Sequence, residues 1–409
     1  MNDLPVEIIL DIARNVSHRD LHALTLVNRQ FNTVTNPLLW QSVAISNEDQ
    51  LMQLIQCRFL SHHDQLQYVR SLIIEFELTD VAFLLLIPRL PPSLDSLFFV
   101  DATHITDASF KYLPPQCPHL TNLGLRLASI GHESMVSVGQ HCHQLRQLEL
   151  CDCETLSPYL FAALSGCPLE DISMTGFVSG DIEDDDFEDN LKDDLKILTH
   201  DLVVGFPFLT SLTMDGFDAR EYFAAVTAAA TPTTLRHSAG HVDVHPPWPN
   251  LMRFRVDQIW YMDDDSAMAF IRMHPHLQDL TLPCNYHFSS DVLQVIADTL
   301  TGLIALDLSG SDQLTPHGVR RIIQQCPLLT FINLLGTNLR RTDFPELTQL
   351  TYHGSDFMHQ LNERPVLDNT LRYIDGAAME KIRYAPAHIY NNNNNNSNDG
   401  VDDTDNRDA

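Results

Sequence analysis

The apolar positions of this chain recur with a fixed step. From residue 69 onward the pattern L-x-x-L-x-L, with conservative substitutions, starts at Val69, Leu94, Leu120, Leu145, Leu169, Leu209, Leu251, Leu277, Leu303, Leu329 and Leu347. Most steps are 24 to 26 residues. Alternate side chains of a strand face opposite ways. Leu145, Leu148 and Leu150 are therefore expected to enter a core, with Gln147 and Glu149 facing outward. Parallel strands need a crossover between them, and the residues between frames supply helices. Ser157-Pro158 and Thr315-Pro316 each pair an N-cap with a first-turn proline. Ser289 or Ser290 caps a helix carrying Val292, Val295 and Ile296, and Val319, Ile322 and Ile323 form the matching face of the next repeat.

This period and signature resemble the leucine-rich repeat, one strand plus one helix per unit. The resemblance implies an α/β solenoid shaped as a horseshoe, with parallel strands on the concave face and helices on the convex face. A chain of 409 residues is too long for one compact core, whereas a repeat stack has no such limit, because each unit packs only on its neighbours. The repeats are expected over 68–355.

The first forty residues follow a different period. Leu4-Pro5 opens a helix along which Ile8, Ile9, Ile12 and Val16 recur at helical spacing. Ser17 to Asp20 breaks it, and Asp20 is expected to cap a second helix carrying Leu21, Leu24, Val27, Asn28 and Phe31. Asn36-Pro37 is expected to cap a third, short piece with Leu38, Leu39 and Trp40. Three such helices make a small core, which suits either a unit completed by a partner or an N-terminal cap for the rest of the chain.

Leu4-Pro5, Glu7-Ile8, Asp20-Leu21, Val27-Asn28-Arg29-Gln30-Phe31 and Leu39-Trp40 stand in the order found in the F-box, which this segment resembles. Asn28 stands where cysteine or serine is commoner. The resemblance covers about a tenth of the chain. It implies a three-helix F-box over 1–45 that docks a Skp-type adaptor and, through it, a cullin. By position, Leu4, Pro5, Ile8, Ile12, Leu21, Leu24, Val27 and Trp40 are implied in that contact or its supporting core.

Two stretches break the repeat. Leu169 to Leu209 is 40 residues, and the excess, an acidic insertion at about 180–195, is expected as an exposed loop. Leu209 to Leu251 is 42 residues and is expected to hold one degenerate unit near Leu235. Residues 46–67 are expected as a helical linker, 356–389 as a C-terminal cap, and 390–409, asparagine-rich then acidic, as a disordered tail.

Charge narrows the partners. The formal net charge is −29, of which residues 181–194 carry −8 and residues 397–409 carry −4. Nucleic acid and anionic membrane surfaces need clustered cations, so neither is an expected partner. The N-terminus lacks the basic, apolar character of a secretory segment, and the longest apolar run, Val81 to Ile87, stops at Pro88. A reduced compartment, cytoplasm or nucleus, is expected.

The cysteines sit in the repeat frame. Cys117, Cys142 and Cys326 lie three residues before a frame, Cys167 two before, and His274 takes the equivalent place elsewhere. Cys153 follows a strand's last leucine by three. This resembles the cysteine-containing class of leucine-rich repeat, often found behind an F-box, whose cysteines stack as buried apolar groups. His141-Cys142-His143 and Cys151-Asp152-Cys153 fall on these sites rather than at zinc spacing. The acidic insertion lacks the turn of a calcium loop. No nucleophile elbow, phosphate loop or dinucleotide fingerprint occurs, so neither catalysis nor a cofactor or metal is expected.

The expected function is that of a non-catalytic substrate-recognition subunit of an SCF-type cullin–RING ubiquitin ligase. The alternative is a leucine-rich-repeat scaffold acting outside ubiquitin transfer. For the target protein, the expected contacts are the outward Arg253 and Arg255, beside Trp260 and Tyr261, extended by Asp279, Asp307 and Asn333 on later strands. For Trp260, burial under the helix layer is the competing reading.

Overall fold

The computed structural model describes residues 4–60, 65–153, 156–176, 185–215, 217–218, 247–256, 259–260, 262–282, 288–347 and 371–384. The chain divides into two compact units, Met1–Met262 and Asp263–Ala409. Among the described residues no helix is long and apolar enough to cross a membrane.

The first unit opens with α1 (Val6–Arg14), α2 (His18–Thr25) and α3 (Arg29–Leu39). Ile9, Ala13, Leu21, Phe31 and Thr35 are buried. Two expected boundaries move. The cap of α2 is Ser17, whose hydroxyl oxygen accepts from the Asp20 N–H at 3.2 Å and donates to the Asp20 carboxylate at 2.7 Å. The second break falls at Leu26–Asn28 rather than at Asn36, because the Asn28 amide oxygen accepts from the Phe31 N–H at 2.9 Å and starts α3 there. Pro37 lies inside α3. In the last turn its missing N–H removes a single helical bond.

The repeats continue the chain as β1 (Ser42–Ile45), α4 (Glu48–Leu60), β2 (Ser71–Ile74), α5 (Asp80–Leu86) and β3 (Ser96–Phe99). Next come α6 (Asp107–Phe110), α7 (Leu113–Gln116), β4 (Asn122–Arg126), α8 (His132–His141), β5 (Gln147–Cys151), α9 (Leu160–Ala163) and β6 (Asp171–Thr175). The unit ends with α10 (Asp185–Gly205), β7 (Ser211–Met214), β8 (Phe217–Asp218), β9 (Arg253–Val256) and β10 (Ile259–Trp260). Strands β1 to β7 and then β9 pair in that order, all parallel. β8 and β10 form a separate parallel pair.

Each rung is closed by one repeated device. The N–H groups of Arg70 and Ser71 both donate to the Gln41 carbonyl, at 2.9 and 3.0 Å; those of Asp95 and Ser96 donate to Arg70 at 2.8 and 2.9 Å. The same fork recurs as far as Met252 and Arg253 on Thr210, at 2.8 and 3.1 Å. The ladder therefore starts at β1, one rung before the first expected frame. The segment 46–67, expected as a linker, contains α4, the crossover from β1 to β2. Trp40, Val43 and Ile45 occupy the apolar positions of that first frame, so Trp40 ends the helical segment and begins the ladder.

A further expectation gives way. The acidic stretch from Asp185 is helix, not loop. It continues N-terminally the crossover helix that Leu195, Leu198 and Leu202, fully buried at helical spacing, anchor beneath the sheet. Acidic residues at a helix N-terminus interact favourably with its dipole. β7 pairs directly with β9, and the degenerate unit expected near Leu235 lies outside the described residues.

The second unit comprises α11 (Asp264–Met273), β11 (Asp279–Thr281), α12 (Ser290–Thr299), β12 (Ala305–Asp307), α13 (Pro316–Gln325), β13 (Phe331–Asn333), β14 (Tyr373–Asp375) and α14 (Gly376–Arg383). β11, β12 and β13 are parallel, and β14 pairs antiparallel with β13. Leu347 is buried, but the place beside β13 goes to β14 rather than to a strand from the Leu347 frame. The Arg383 guanidinium donates to the carbonyls of Ile323, Cys326 and Leu329 at 2.8, 2.9 and 2.9 Å. It thereby satisfies the Ile323 and Cys326 carbonyls at the end of α13. The expected tail, 390–409, lies outside the described residues.

Within each unit the helices are registered to one another. Asp80 and Asp107, first residues of their helices, accept from Thr106 and Gly131 in the next repeat at 2.9 Å each; Asp264 accepts from the Ser289 N–H at 3.2 Å. Helices α7, α8, α11, α12 and α13 end on Cys117, Cys142, His274, Leu300 and Cys326, all buried. The Cys142 thiol points at the Cys117 carbonyl, 3.8 Å away, and that of Cys326 at the Leu300 carbonyl at 3.3 Å. Burial pushes the thiols of Cys117, Cys142 and Cys167 up to about 12 and that of Cys326 up to about 11.

Candidate docking surfaces

The helical segment keeps one face bare. Pro5 and Val6, Ile8 and Ile12 of α1 are exposed, as are Leu26 and Val27 in the turn before α3, Leu26 to 73 %. The Gln30 amide donates to the Leu4 carbonyl at 2.8 Å and ties the start of α1 to the first turn of α3, directly after that turn. A chain of net charge −29 thus displays several exposed aliphatic side chains on α1 and in the turn before α3. Exposed apolar patches of this kind mark protein–protein contacts.

The expected adaptor residues separate by burial. Pro5, Ile8, Ile12 and Val27 lie on the bare face; Leu4 and Leu24 are half-buried; Leu21 is buried and is a supporting residue of the core. Trp40 is half-buried and lines a depression of about 870 Å³ with His18, Arg19, His22, Leu39 and Val43. Val6 and Leu26 were not expected; their signal is an apolar residue off the buried stripe of an amphipathic helix or turn.

The second surface is the face of the strands opposite the helices. Register sets Ser71, Ser96, Asn122, Gln147, Asp171, Ser211 and Arg253 in one row of the first unit. Ile73, Phe98, Gly124, Glu149, Ser173, Thr213 and Arg255 form the next. Of the expected target contacts, Arg253 and Arg255 are exposed on β9, as their alternation required. Arg253 donates to the Asp171 carboxylate at 2.9 Å and to the Ser211 hydroxyl at 3.1 Å. Trp260 is in β10, and Tyr261 lies outside the described residues. In the second unit Asp307 accepts from the Asn333 amide at 2.8 Å; Asp279 is half-buried in the row that holds Ala305 and Phe331. Phe331 stacks on Tyr373 with ring centroids 6.4 Å apart.

One feature of this face carries no sequence motif. Around Gly124 the first unit has a depression of about 500 Å³, bordered by Phe98, Asn122, Gln147, Glu149 and Ser173. The Asn122 amide donates to the Gln147 side chain. Glycine at an outward strand position, beside an aromatic in register, is the only sequence signal for it.

No group of three or more histidine, cysteine or carboxylate side chains able to hold a metal occurs among the described residues. The His141 ring is paired with the Ser137 carbonyl at 2.9 Å.

The geometry defines a repeat protein whose opening helical segment exposes aliphatic side chains. Residues 1–46 match the F-box-like family model, so the chain carries an F-box-like segment ahead of its repeats. Among solved structures it is similar to the one titled crystal structure of the Rad7 and Elc1 complex in yeast. The likeness has 13 % sequence identity and a TM-score of 0.50, and covers 83 % of this chain and 82 % of that one. At that identity it speaks for the fold, an α/β repeat solenoid.

Proposed function

We propose that this chain is a substrate-recognition subunit of a cullin–RING ubiquitin ligase of the SCF type. The bare face formed by Pro5, Ile8, Ile12 and Val27 docks a Skp-type adaptor, with Leu4, Leu21, Leu24 and Trp40 beneath or beside it. The strand face holds a target protein. The chain performs no chemistry; it raises the rate of ubiquitin transfer by holding the target near the ligase's catalytic partners. Its place of action is the cytoplasm, the nucleus or both.

The observation that carries this reading is the exposed aliphatic face within a segment that matches the F-box-like model. Exposure of a large part of an isoleucine side chain to water costs free energy that a partner's burial recovers, about 25 cal/mol for each Å² covered. The yeast protein of similar fold was crystallised with a partner, Elc1. That precedent supports a reading in which the helical end is completed by another chain.

Co-expression with a Skp-type adaptor and affinity purification tests it. The unaltered chain is expected to retain the adaptor and a cullin, and the Ile8→Asp/Ile12→Asp variant to lose both while remaining folded. Retention by that variant, or no adaptor with either chain, removes the proposal.

A further inference from the structure

Resting on the reading that the strand face receives the target, we propose that the notch over Gly124 takes a lysine or arginine side chain from a basic segment of that target. Phe98, Gly124 and Glu149 are register partners on β3, β4 and β5. The other strands of this row present a side chain there; β4 presents none. The Phe98 ring leans into the vacated space, so that a Cβ on Gly124 would overlap it. One strand spacing, about 5 Å, separates β4, over which the ring lies, from β5. The Phe98 ring and the Glu149 carboxylate thus stand side by side on the border of one depression.

The neighbouring charges are already matched. Arg146 pairs with Glu170, Arg253 with Asp171 at 2.9 Å, and Asn122 with Gln147. The exposed Glu149 has no ion pair or hydrogen bond among the described residues. The chemistry of the gap selects its occupant. An anion would meet Glu149 and Asp171. An apolar side chain would strip water from the Glu149 carboxylate and return nothing. A cation in the depression gains the carboxylate and the aromatic ring beside it. The net charge of −29 draws basic segments toward the protein over longer distances.

Fluorescence anisotropy on the full chain tests the notch. The probe is a short labelled glycine–serine peptide with central arginines, and its counterpart has citrulline in their place. The arginine peptide is expected to bind more tightly, and to weaken about threefold to fivefold with Glu149→Gln and with Phe98→Leu. Glu133→Gln removes the same charge from the helix side, where Glu133 pairs with Lys111 at 3.1 Å, and is expected to leave binding unchanged. Equal binding of the two peptides, or an equal loss with Glu133→Gln, overturns the proposal. Glu149→Gln alters only an exposed side chain and carries the test if Phe98→Leu fails to fold. Adaptor retention measured on the same preparations keeps the readings apart: its loss counts against the ligase role, and peptide indifference with the adaptor retained counts against the notch alone.

Discussion

The Asp80 carboxylate accepts from both the backbone N–H and the hydroxyl of Thr106, at 2.9 and 2.7 Å, and so joins the first turns of helices in successive repeats. The Ser109 hydroxyl donates to it as well. Removing an acceptor from a half-buried cluster leaves donors unsatisfied. Asp80→Ala is therefore expected to lower stability by about 1–3 kcal/mol. Hydrogen exchange should report it locally, as faster exchange across residues 106–110.

The same carboxylate makes stability depend on pH. Burial works to raise its pKa, but the hydrogen bonds from Ser109 and Thr106 outweigh it and hold the group below the ordinary carboxylate range. Hydrogen bonds from Thr103 and Ser266 lower Asp101 and Asp263 likewise. A depressed folded pKa contributes stability that is complete above the unfolded value, roughly pH 4, and is lost as pH falls through the folded one. Melting temperature is expected to be level from neutral pH down to about 5 and to drop below 4. In Asp80→Asn that drop should be shallower.

Ile8 and Ile9 are neighbours with opposite roles. Ile9 is fully buried and Ile8 is 47 % exposed. Ile9→Ala is expected to cost about 2–4 kcal/mol in denaturant titration, and Ile8→Ala less than about 1. Adaptor affinity should respond in the reverse order once the Ile9 variant is compared under conditions where it is folded.

Arg320 and Glu346 form an ion pair whose side chains are 13 % and 3 % exposed, with the guanidinium 4.6 Å from the Phe344 ring centre. Glu346→Ala leaves a nearly buried cation and is expected to cost about 3–5 kcal/mol. Replacing both residues together, Arg320→Met with Glu346→Leu, should cost much less. Equal losses from single and double variants would contradict the pairing.

The buried thiols are chemically quiet. With pKa values pushed to about 12 at Cys117, Cys142 and Cys167, the thiolate is scarce at pH 8. Iodoacetamide followed by peptide mapping is expected to leave these and Cys326 unmodified in the native protein and to label all four in denaturant. The half-buried Cys151 should react before the buried Cys117, Cys142, Cys153, Cys167 and Cys326.

The repeat frames were legible because a strand that faces a core on one side must place apolar residues at fixed offsets. Leu94, Leu120, Leu145, Leu277 and Leu303 each stand two residues before a strand and are buried, as their spacing required. The cysteine positions were legible for the same reason, since the residue ending each helix recurs with the period. Local competition was harder to read. Ser17 and Asp20 both suit a cap, and only the path of the chain chose between them. Asp185 to Asp194 reads as a solvated charge run until the leucines after it are seen to anchor a helix that continues back through them.

By itself the sequence determined the period, the side of each strand that enters the core, and the existence of an apolar N-terminal segment, since these follow from side-chain alternation and helical spacing along a single stretch of chain. Tertiary structure decided what depends on neighbours remote in sequence. It made Trp40 the start of the ladder through the fork of hydrogen bonds on Gln41. It separated exposed Ile8 and Val27 from buried Leu21, and it brought Phe98 over Gly124 beside Glu149. Register between strands 25 residues apart sets which side chains share a surface, and no local pattern encodes that adjacency.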